Sequence, residues 1–119
     1  MGEEQTFMMS AQEQADRYIT HIDEALASGD PLEMRHHIQE AMPYGQMIID
    51  NLEDALNETE DPDVVDRIEE AMDHLSISME QGDQALEMLE DEMPDLMMEM
   101  RRHAEQAASF LGRALGMAA

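Results

Sequence analysis

The sequence predicts an all-α protein, an up-down-up-down antiparallel four-helix bundle forming a single domain over residues 1–119. Three observations carry this. Apolar residues recur with 3-4 spacing along almost the whole chain, the pattern of helices packed side by side. Helix-starting signals recur between the apolar runs. No stretch alternates as a strand would.

The elements follow in order. Helix one is expected near 4–28, with Ser10 and Glu13 at capping-box spacing. Gly29-Asp30-Pro31 closes it and opens helix two, near 31–58, with Asp30 as cap and Pro31 in the first turn. Pro43, followed by Gly45, lies inside helix two and should kink it. Asp61-Pro62 starts helix three, near 62–91, and Met93-Pro94 starts helix four, near 94–117. The connections are short, so neighbours run antiparallel, and the chain divides into two helical hairpins, about 10–58 and 62–117.

The inward seam can be named residue by residue. It comprises Met8, Ala11, Ala15, Tyr18, Ile22 and Ala25, then Met34, Ile38, Ala41, Gly45, Ile48, Leu52 and Ala55. Helix three contributes Val64, Ile68, Ala71, Leu75, Ser78, Gly82, Ala85 and Leu89, and helix four Met93, Met97, Met100, Ala104, Ala107, Leu111 and Ala114. A second apolar row runs beside it through Ile19, Leu26, Met42, Ile49, Leu56, Val65, Met72, Met79, Leu86 and Leu115. Three inward positions per heptad suit a globular bundle. Eight of the methionines (Met8, Met34, Met42, Met72, Met79, Met93, Met97 and Met100) fall on these rows, where adaptable packing explains them.

Charge narrows the functions. There are 29 acids against 6 basic residues, for a net charge of −23, and every basic residue is Arg. Nucleic acid and anionic membranes are excluded as partners, because both are polyanions. The apolar runs are too short for membrane insertion. The surface has the acid-rich, Lys-free character of salt-adapted proteins. Without Cys, disulfides and thiolate metal sites do not arise. The first residues, MGEEQTFMMS, lack the features of a signal peptide. The expected location is therefore the periplasm if a leader has been removed, and otherwise the cytoplasm.

The histidines carry the candidate chemistry. His21, His37, His74 and His103 each stand one residue before a core position, one on every helix. His21 and His37 lie at nearly equal distances from the first connection, so two antiparallel helices bring their imidazoles together. Glu24, Glu33, Met34 and Glu40 lie within a turn of this pair, and Tyr18 beneath it. Imidazole with carboxylate suits Cu(II), Ni(II) or Zn(II). His103 with Met100 and Glu99 is a second, weaker candidate. His74 with Glu70 is a third, expected about 12 Å below the level of the others. No di-iron ligand set, nucleophile elbow, phosphate loop or EF-hand is present in the sequence, so no enzymatic activity is expected.

The segments HIDEALASGDPLEMRHHIQEAMPYGQMIIDNLEDALNE, DPDVVDRIEEAMDHLSISMEQGDQALEML and MRRHAEQAASFL together resemble the small metal-binding protein (SmbP-like) family. That resemblance spans about residues 18–113 and implies a secreted periplasmic four-helix bundle that buffers copper, nickel and zinc. It carries over His21 before Asp23-Glu24-Ala25, His37 before Gln39-Glu40-Ala41, and His103 before Glu105-Gln106-Ala107, with His74 matching as a His after Glu70-Ala71-Met72. This chain departs from the family in having five His and no Lys, which fits reduced capacity, a softer preference such as Cu(I), or loss of the function. The competing expectations are an acidic module that binds a basic protein or a partner helix, and a salt-adapted bundle with structural histidines. Either a monomer or a dimer fits the pattern.

Overall fold

The structure, a computed structural model, describes residues 3–88 and 91–118. Four helices follow one another: α1 (Glu3–Ser28), α2 (Pro31–Glu58), α3 (Pro62–Glu87) and α4 (Met93–Ala118). No strand occurs among the described residues. α1 packs most extensively on α2, and α3 on α4; α1 against α4 and α2 against α3 close the ring. The result is the expected four-helix bundle, a rod of 47 × 18 × 18 Å.

Local chemistry sets most of the boundaries. Gly29 takes a left-handed conformation at φ 68, which ends α1 at little steric cost. Asp30 then caps α2 by accepting a hydrogen bond from the Leu32 amide at 3.0 Å. Asp61 repeats this for α3, accepting from the Asp63 amide at 3.0 Å. In both, a proline in the first turn occupies a place where no amide is needed. α2 runs on through Pro43 as one helix.

One cap and one boundary differ from expectation. α1 has the expected extent, but Ser10 lies in its interior rather than at its start. α3 ends at Glu87 rather than 91. Every helix has an acid in its first turn and none has a base in its last, so the C-terminal dipole ends lack local compensation. At α3 the compensation comes from α2. The Arg35 guanidinium donates to the carbonyls of Leu86 and Met88, while the Met88 amide bonds back to Ala85 at 3.2 Å.

The core follows the register. Every seam residue named above is buried, apart from Leu89, which lies outside the described residues. A fully buried Leu or Ile side chain contributes ~1.5–3 kcal/mol, and Ile22, Ile38, Ile68, Leu75 and Leu111 are all essentially inaccessible. Among the described residues Ser78 is the buried polar side chain of this core. Its hydroxyl donates to the Met100 carbonyl at 2.7 Å. That uses its single proton, so Tyr18 Oη, 2.9 Å away, donates to Ser78 Oγ. This relay joins α1, α3 and α4, and burial pushes the Tyr18 phenol well above its ordinary pKa.

The α2–α3 seam is built on glycine. A Cβ on Gly45 would stand 2.9 Å from Met79 Sδ, and one on Gly82 would stand 3.0 Å from Met42 Sδ. Each helix therefore carries a Met-x-x-Gly whose thioether fills the hollow left by the other's glycine.

Candidate metal centre

The first hairpin brings its two core-rim histidines together. His21 and His37 have ring centroids 5.9 Å apart at an interplanar angle of 36°. Their side chains are only 21% and 22% exposed, and the Nδ1 atom of each is buried without a hydrogen bond. Helical spacing places an acid one turn after each: Glu24 after His21 and Glu40 after His37. Both carboxylates lean across the pair. Glu24 Oε2 lies 3.9 Å from His21 Nδ1 and 3.5 Å from His37 Nδ1. Glu40 Oε2 lies 3.7 Å from His21 Nδ1.

Three ligand atoms, one each from His21, His37 and Glu40, lie within 4.8 Å of one another. At tetrahedral bond lengths of ~2.0–2.1 Å, ligand atoms stand about 3.4 Å apart, so side-chain rotation would close the set around an ion. Glu40 is oriented from outside by His36, whose Nε2 is 2.5 Å from Oε1. Such a partner behind a ligand fixes its direction. Tyr44 stacks on the His21 ring with centroids 5.6 Å apart, and Arg17 stands over Tyr44 at 6.0 Å. An open cleft beside the pair is lined by Arg17, His21, Gln39, Glu40, Pro43, Tyr44 and Met47 and offers solvent access.

The other candidate ligands fall differently. Met34 and Met100 are buried in the core, where the register puts them for packing. Tyr18 is also core, and its hydroxyl is taken by Ser78. His74 and His103 are not separated by a 12 Å offset; their centroids lie 5.8 Å apart. The expected third site at His74 and the second at His103 are thus one pair across α3 and α4. The reason is the end of α3. With helix three extended to 91, the middle of the turn falls too far along the chain; with the end at Glu87, the two histidines stand almost level. Glu70 is paired with Arg67 at 3.8 Å, and Glu99 with Arg102.

Sequence reading missed the aromatic ring on each pair, Tyr44 on His21 and Phe110 on His74. A signal existed: His37 and His103 each precede an aromatic by two helical turns. Among the described residues no helix is long and apolar enough to cross a membrane. No family model, curated protein or solved structure matches the chain.

Proposed function

We propose that the protein is a metal-binding bundle that takes up a divalent transition-metal ion, copper, nickel or zinc, at His21, His37 and Glu40. One observation carries this reading: two imidazoles and a carboxylate from adjacent helices converge within 4.8 Å. Glu24 is the fourth donor within reach, and a net charge of −23 raises the local concentration of cations. Water entering from the cleft would complete the shell. A role in buffering rather than catalysis fits the partial exposure of the site and the small-metal-binding-protein resemblance. That resemblance also favours a periplasmic location.

Calorimetric titration with Zn(II), Ni(II) and Cu(II) tests the reading. The expected result is micromolar or tighter binding that disappears in the His21→Ala/His37→Ala double variant. Unchanged affinity in that variant would overturn the assignment. Lowering the pH should release the ion, because protons compete for the same imidazole lone pairs.

A further inference from the structure

The second hairpin holds an imidazole pair that the divalent site does not use. His74 and His103 have centroids 5.8 Å apart with planes 23° from parallel. Each has its Nδ1 buried with no hydrogen-bond partner. A separation of 5.8 Å lies within the range of offset aromatic pairs, and it also leaves room for the two imidazoles to share one ion through bonds of ~2.0 Å. Phe110 lies parallel to His74, centroids 5.4 Å apart and planes 8° from parallel. Arg113 stands over Phe110 at 5.2 Å, so this side of the pair carries an aromatic and a cation.

The contrast with the first pair lies one turn further along each helix. Glu24 and Glu40 follow His21 and His37 there, but Ile77 and Gln106 follow His74 and His103. The nearby acids Glu70 and Glu99 are engaged by Arg67 and Arg102. Among the described residues, no third His, Asp or Glu ligand joins His74 and His103. A divalent ion held by two neutral imidazoles alone would keep its charge uncompensated and most of its coordination positions unfilled. A monovalent d¹⁰ ion is satisfied by two nitrogen donors in a near-linear arrangement and needs little opposing charge.

We propose that His74 and His103 form a second, separate site that binds one monovalent soft cation, Cu(I) or its redox-inert analogue Ag(I), through their buried Nδ1 atoms. This site stands apart from the divalent reading of His21 and His37, and either can fail without the other.

The test uses the full chain with histidine ¹⁵N-labelled, in the His21→Ala/His37→Ala background, titrated with Ag(I) and followed by ring ¹⁵N shifts. The expected result is that the Nδ1 signals of His74 and His103 move together and saturate at one equivalent. His103→Gln in the same background should lose that equivalent while circular dichroism shows the helices intact. Unmoved Nδ1 signals, or Ag(I) uptake seen at methionine methyl signals alone, would overturn the proposal. So would Zn(II) shifting His74 and His103 in the unsubstituted chain before His21 and His37. Absence of Zn(II) binding at His21 and His37 would count against the divalent site and leave the Ag(I) result to decide this one.

Discussion

The two hairpins present nearly the same ring geometry in two electrostatic settings. In each, two core-rim histidines face one another with centroids 5.9 or 5.8 Å apart, and an aromatic two turns beyond one of them stacks on the other. An arginine stands over that aromatic in both. What differs is the residue one turn after each histidine, glutamates in the first hairpin and Ile77 and Gln106 in the second. Helix packing supplies the paired imidazoles, and a pair of neighbouring positions decides how much negative charge they are given. Under the proposed function, metal preference would then change without altering the fold.

The largest expected effect breaks that contrast directly. Glu24→Ile with Glu40→Gln gives the first pair the surroundings of the second, and Zn(II) affinity should fall by more than the roughly 10–100-fold that losing a partner behind a ligand costs, because Glu40 is itself a proposed ligand. Ile77→Glu with Gln106→Glu should make the reverse change and create Zn(II) binding at His74 and His103. Calorimetry on both variants measures the pair.

A second perturbation acts on the join between the hairpins. Ser78→Ala leaves the buried Tyr18 hydroxyl in the first hairpin without its acceptor in the second, and should cost about 1–3 kcal/mol in denaturant unfolding. Tyr18 also makes the join sensitive to alkali. Its folded pKa is raised, so its contribution is complete below the unfolded value near 10 and is lost as pH rises beyond it, by ~1.4 kcal/mol per pH unit. The chain has no Lys to titrate in the same range. Unfolding measured across pH 9–11 should show this slope, and Tyr18→Phe should flatten it.

The smallest effect separates the two glycines. A Cβ at Gly45 would meet not only Met79 Sδ but also Met79 Cγ and Tyr18 Cε1, both at 3.1 Å. Met79 Cγ lies near the backbone, and the Tyr18 ring is anchored by its hydrogen bond. Gly45→Ala should therefore destabilise by about 1 kcal/mol, overpacking exceeding the gain in helix propensity. At Gly82 the neighbours are the flexible ends of Met100 and Met42, which can turn aside. Gly82→Ala should be within about 0.5 kcal/mol of neutral, since the propensity gain offsets the shift. Melting of the two variants side by side distinguishes them.

Most of the fold was legible because the repeat of apolar residues is a local property that packing did not override. The same register put His21 and His37 together, since the turn between them is marked by Gly29, Asp30 and Pro31 in sequence. The second pair was misplaced because the end of α3 has no such mark. There is no glycine where the helix stops, and the group that satisfies its last carbonyls is Arg35, from another helix. Tyr44 and Phe110 were passed over because an aromatic outside the seam resembles any other surface residue until its neighbouring helix is in place.

The Met-x-x-Gly seam has a consequence for how the molecule breathes. α2 against α3 is among the least extensive contacts of the ring, and apart from the Arg35 hydrogen bonds at the end of α3 its glycine hollows are filled by thioether side chains. Thioethers are polarizable and rotate freely, so they hold a seam without interlocking it. The bundle should open there as a book opens, each hairpin remaining folded as a cover. In native-state hydrogen exchange this would appear as two protected units that separate before either melts.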